Sequence, residues 1–258
     1  MLMELNENRS NTIEIIGPPG IGKSMLFQEV CKLWNPKKNW IYDDILLAPK
    51  KPNLFQLFNW IEYKYRWVRG KKMSKNLPNS LGEKFILKNQ NLANFCWNYL
   101  SEDPTHSALR NRYRYTCFLF DNFCKYQAII EKNSVVPCLI EEGFLQKSFL
   151  IHEDRLLMEK IVDQYMGLLP LPSSLIVLDT EDTDLIVKRI KQRKKIIPSH
   201  YNMDDSGLLK ETKKWQYFLD LVLDKMSNRN VPVYKIDGSK PLGENVSSLN
   251  IILQSHIN

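Results

Sequence analysis

The chain has 258 residues, 43% of them apolar, enough for a sizeable core in one large domain or two small ones. Its 36 basic residues outnumber 29 acidic ones, giving a net charge of +7 and a pI near 9.0, which suits an anionic partner or a solvated lysine-rich surface. No run of 18 apolar residues spans a membrane, MLMELNENRS lacks the basic-then-apolar order of a secretory signal, and the five cysteines form no CxxC pair, so the expectation is a reduced, cytoplasmic protein with no membrane partner.

Thr12 to Ile16 reads as a buried strand, followed by a glycine turn and a helix from Lys23 to Trp34 that Asn35-Pro36 stops. Trp40 to Leu47 reads as a second strand carrying Asp43 and Asp44. Helices are expected at Asn53–Val68, with Leu54, Leu57, Phe58, Ile61 and Tyr65 on one face, then at Gly82–Ser101 and Ser107–Lys132, after a basic loop at Arg69–Leu81. Ser134 to Ile140 is an apolar strand ending in Glu141-Glu142-Gly143. A helix at Glu153–Met166, a strand at Ser174–Asp179, a basic helix at 182–194 and a polar loop at Ile196–Gly207 follow. The chain closes with a helix at Leu208–Asn228, a strand at Val231–Ile236 and a helix at Leu242–Ile257. Strands alternating with helices predict an α/β fold, with a parallel five-stranded sheet flanked by helices on both faces.

The segment Gly17-Pro18-Pro19-Gly20-Ile21-Gly22-Lys23-Ser24 matches G-x-x-x-x-G-K-[ST] at every fixed position, with a strand before it and a helix after. Glycines let such a loop wrap a phosphate with its backbone N–H groups, backed by the positive end of the following helix. Lys23 is placed to reach the β- and γ-phosphates and the Ser24 hydroxyl to ligate Mg²⁺. The chain is therefore expected to bind ATP with Mg²⁺, through this loop and the adjoining Met25. In "VVPCLIEEG" an acidic pair ends a later strand, where Glu141 or Glu142 can hold the metal through water or act as a base. An AAA-type ATPase also carries such a pair, but much nearer the loop than Glu141 stands to Lys23, and its helical lid domain has no room here.

The whole resembles the nucleotide-kinase-like branch of P-loop proteins, especially thymidylate kinases and deoxynucleoside kinases. The resemblance rests on the N-terminal loop, on "LIEEGFLQKS", on "SLIVLDTEDTDLIVKRIKQRKK" and on "NVPVYKIDGSKPLGENVSSLNIIL". It implies a single kinase-like three-layer domain over residues 1–258, with a helical acceptor-side insertion at about 53–132 and a lid at about 188–207. It implies that Glu141 takes the metal-side acidic place and that Arg189 and Arg193 clamp the transferring phosphoryl. Gly238, Ser239, Lys240 and Pro241 would border the adenine, and Asp43 or Asp44 would face the acceptor hydroxyl as a general base. The pattern departs from the family at Glu142, which stands where the family has an arginine. Arg110 and Arg114, one helical turn apart, suit an anionic acceptor or a plain surface helix.

The function expected is ATP-dependent phosphoryl transfer to a small-molecule acceptor such as a nucleoside or nucleotide. The alternative is a nucleotide-dependent switch or partner-binding ATPase. Nucleic acid is disfavoured, because no stacking platform or recognised module accompanies the charge, and the resemblance implies a homodimer as one arrangement.

Overall fold

The structure, a computed structural model, describes residues 9–48, 57–68, 77–102, 109–193, 200 and 203–255. Its strands are β1 Arg9–Ile16, β2 Ile41–Tyr42, β3 Cys138–Ile140, β4 Leu171–Asp179 and β5 Val233–Asp237. They form one all-parallel sheet in the order β2-β3-β1-β4-β5. The helices are α1 Lys23–Lys32, α2 Asp43–Leu46, α3 Leu57–Val68, α4 Asn79–Lys88, α5 Gln90–Glu102 and α6 Leu109–Lys132. After β3 come α7 Arg155–Leu168, α8 Thr183–Lys191, α9 Asp205–Asn228 and α10 Leu242–Ser255.

Strand alternation divides the core in two. Ile16, Cys138, Ile140, Leu175 and Val177 point into a layer made with α4 to α7 and much of α9. Their neighbours Ile13, Ile15, Leu139, Ile176, Leu178 and Ile236 point into the opposite layer, with α1, α8 and α10. The sheet is thus covered on both faces, as the alternating pattern of the sequence requires. From β1 the chain winds over β3 to β2; from β3 it crosses back over β1 to β4. The direction of winding reverses at β1, and the glycine loop leaves the sheet at that reversal, where ligands of open α/β sheets sit.

Three expectations need correction. The second strand is only Ile41–Tyr42, because the Asp43 carboxylate accepts the Asp44 N–H at 3.0 Å and turns the chain into α2. The third strand starts at Cys138 rather than Ser134, just beyond Pro137, which has no N–H for the ladder although its carbonyl accepts from Ile41 at 3.0 Å. The helix expected over Gly82–Ser101 is two helices. Asn89 breaks it, with φ −124° and ψ 48° and its side-chain amide turned back onto the Phe85 carbonyl at 2.9 Å. Of the residues expected on one face of α3, Leu57, Phe58, Ile61 and Tyr65 are exposed; residues 53–56, Leu54 among them, lie outside the described residues. Among the described residues no helix is long and apolar enough to cross a membrane.

Candidate active site

The glycine loop is built for close approach. Gly20 and Gly22 hold φ of 91° and 110°, a backbone region that side chains strain to occupy. The first N–H groups of α1 have no partner within the helix and open toward the loop. Lys23 is buried, and its ammonium donates to the carbonyls of Gly17 and Pro18 at 2.5 and 3.1 Å. Burial pushes its pKa down to about 8, against the pull of Glu142 and Glu141.

The turn after β3 is stitched to this loop. Gly17 N–H donates to the Gln146 side chain at 3.1 Å. Beneath it, Glu14 of β1 is fully buried; its carboxylate accepts from the Tyr126 hydroxyl and, at 3.0 Å, from Leu145 N–H. Tyr126 in turn accepts from Phe144 N–H at 3.3 Å, and the Tyr165 hydroxyl donates to the Phe144 carbonyl at 3.0 Å. Burial holds the Glu14 pKa above the usual carboxylate range, opposed by Tyr126, the loop N–H groups and the Lys147 charge.

A cavity of about 900 Å³ opens from the loop. It is lined by Pro19, Gly20, Gly22, Lys23 and Ser24 of the loop and its helix, by Arg114 and Phe118 of α6, by Phe149 and Trp215, and by Glu142, Gln146 and Lys147 of the segment after β3. Its volume lies within the range of small-molecule pockets.

The structure gathers some of the expected residues here and leaves others elsewhere. Arg114 and Arg193 line the cavity; the Arg110 side chain lies outside the described residues. Of the acidic pair, Glu142 faces the cavity and Glu141 does not line it. Asp43 and Asp44 are absent from its walls. Asp43 is buried and accepts from Lys125 Nζ at 2.8 Å. This placement predicts that Asp43→Asn lowers stability by about 1–3 kcal/mol while turnover stays within twofold of wild type, read by thermal melts beside steady-state rates.

Arg189, expected on a lid, is a brace. Its guanidinium donates to the carbonyls of Ile21 at 3.0 Å and Gly238 at 2.8 Å, tying α8 to the glycine loop and to the turn after β5. Arg193 follows the helix end at Lys191 and is exposed. Residues 194–199 and 201–202 of the expected lid lie outside the described residues. His200 is buried on the cavity wall, and Asp205 pairs with Lys191 at 2.8 Å. Gly238 packs on Ile21, so the Gly238–Pro241 turn adjoins the loop without lining the cavity; Lys240 and Pro241 are exposed, as is Met25.

No protein-family model matches the chain, and no curated protein matches its sequence. Among solved structures, the chain is similar to a deoxyadenosine kinase from M. mycoides. Identity is 13%, with 95% of this chain and 99% of that one covered and a TM-score of 0.45. It is also similar to a shikimate kinase from Bacteroides thetaiotaomicron, at 11% identity, 94% and 97% coverage and a TM-score of 0.38. A gluconokinase from Sinorhizobium meliloti gives 14%, 96% and 97%, and 0.32. At such identities function has to be read from the residues of the site.

The residues present fit a Mg²⁺-bound triphosphate. The loop offers N–H groups, an ammonium and the Ser24 hydroxyl at one cavity end. Among the described residues no three His, Cys, Asp or Glu side chains cluster to hold a metal. Two residues at or beneath the cavity escaped the sequence reading, Glu14 and Lys147. A glutamate inside the otherwise apolar "TIEII" was the available signal for the first, since a strand buried on both faces reads as near-continuously apolar.

Proposed function

We propose that the chain is an ATP-dependent phosphotransferase acting on a small-molecule acceptor. The observation that carries this reading is a cavity lined both by Lys23 and Ser24 and by Arg114 and Trp215, since phosphoryl transfer needs room for an acceptor in line with the γ-phosphoryl. A switch protein has no use for such a space. Lys23 and the loop N–H groups bind the phosphates, and Ser24 is the residue placed to hold Mg²⁺, which when bound neutralises charge on the phosphate oxygens. Arg193 faces the same space and suits the charge of the transferring group. Glu142 also lines the cavity, where it can orient an acceptor hydroxyl or take its proton.

The test is a screen of nucleosides, nucleotides, sugars and amino alcohols for ATP-dependent phosphorylation. Glu142→Gln is expected to lower turnover by about 10²-fold with ATP affinity kept, and Glu141→Gln to do less. If no acceptor is phosphorylated and a nucleotide-bound structure shows the space beside the nucleotide closed by side chains, the switch reading replaces this one.

A further inference from the structure

The charges around the cavity are unevenly committed. Glu153 accepts from Lys210 and Lys214, both at 2.8 Å, and Glu211 pairs with Lys214 at 2.6 Å. Asp154 caps α7 through the N–H groups of Leu156 and Leu157. Lys214 is thereby neutralised, and these three carboxylates are spent on partners within the protein.

Lys147 differs from Lys214. It is partly buried on the cavity wall, and its ammonium makes no hydrogen bond or ion pair among the described residues. What lies near it is the Phe144 ring, 5.9 Å from Nζ to centroid, and, at longer range, the charges of Glu14 and Glu142. Desolvation lowers its pKa to about 8, and those two carboxylates oppose the fall. An ammonium drawn partly out of water without a hydrogen-bond acceptor is a group whose solvation is incomplete until a ligand arrives.

The support beneath it is rigid. Leu145 is tied to Glu14, Phe144 to Tyr126 and Tyr165, and Gln146 to the first glycine of the phosphate loop. Lys147 is the next residue and lines the cavity, so it follows directly on a segment held by four bonds to buried or loop groups. Side chains locked from behind in this way are the ones that hold a ligand in a defined place.

We propose that Lys147 is an anion-binding residue of the cavity and takes a phosphate or carboxylate group carried by the acceptor. The assignment rests on the phosphotransferase reading for the word acceptor, though not for the binding of an anion.

The full chain, saturated with Mg²⁺ and a non-hydrolysable ATP analogue so that the γ-phosphate position is filled, is titrated calorimetrically with inorganic phosphate and separately with acetate. Saturable binding of either at one site is expected, and which of the two binds names the group. Lys147→Ala should weaken it roughly tenfold or more, the loss of a charge-assisted hydrogen bond, with affinity for the ATP analogue unchanged and Lys147→Arg restoring most of it. Equal anion affinity in Lys147→Ala, or an anion that binds only when the ATP analogue is absent, would overturn the proposal, as would no binding of either anion. If the wild-type chain does not take up the ATP analogue, the phosphotransferase reading is what fails. The same titration on the unliganded wild-type and Lys147→Ala chains then decides the anion site.

Discussion

Lys23→Ala is expected to reduce ATP-dependent turnover by about 10³-fold, the scale set by removing one preorganised charge-stabilising donor. The side chain does two things in sequence. Before ligand arrives, its ammonium sits on the carbonyls of Gly17 and Pro18 and holds the loop curled. With phosphate present the same ammonium stands at the cavity end where negative charge accumulates. Removing it leaves two loop carbonyls without their donor, which lowers stability by about 1–2 kcal/mol but leaves the sheet and its two apolar layers untouched. Calorimetry with ATP and Mg²⁺, circular dichroism and steady-state rates separate these effects. Undiminished ATP affinity and turnover in the mutant would refute the assignment of the loop.

Glu14→Ala should produce the largest loss of stability, about 3–5 kcal/mol, or a fall in Tm on the order of 10 °C for a chain of this size. It empties a fully buried site and strips the Tyr126 hydroxyl and Leu145 N–H of their acceptor. The turn that carries Gln146, Lys147 and Glu142 loses its footing, so turnover falls with stability.

A second signature comes from pH. The folded-state pKa of Glu14 is raised by burial above its ordinary value, so between the two values the folded chain binds the proton more tightly than the unfolded chain does. The contribution of Glu14 is then most favourable below the ordinary carboxylate range and declines as pH rises through the raised value. Glu14→Gln, which keeps the shape and cannot ionise, should show a flatter melting profile across that window. An identical profile in wild type and Glu14→Gln would remove Glu14 as the source.

The parts of the site that were legible in the sequence are those whose chemistry is local. The loop Gly17 to Ser24 carries its positive-φ glycines in its own sequence, and "LIEEG" marks a strand end by composition alone. The parts that were not legible depend on partners far along the chain. Arg189 looks like a member of a basic helix until its guanidinium meets Ile21 and Gly238, 168 and 49 positions away. Asp43 reads as an acid at a strand end, and only the placement of α6 brings Lys125 to it. Choosing between Glu141 and Glu142 required knowing which way each side chain leaves the turn, and a register one residue off is invisible to spacing. The two-layer sheet was legible because its alternation is written in consecutive residues such as Leu175 to Leu178.

Gly143 lies directly against the Glu14 carboxylate; a Cβ placed on it would stand 2.1 Å from Oε2. The two positions are therefore packed as a pair. A side chain at 143 would force the Glu14 carboxylate to move, and in moving it would give up its bonds to the turn. Residues 129 positions apart in sequence are thus coupled at one contact.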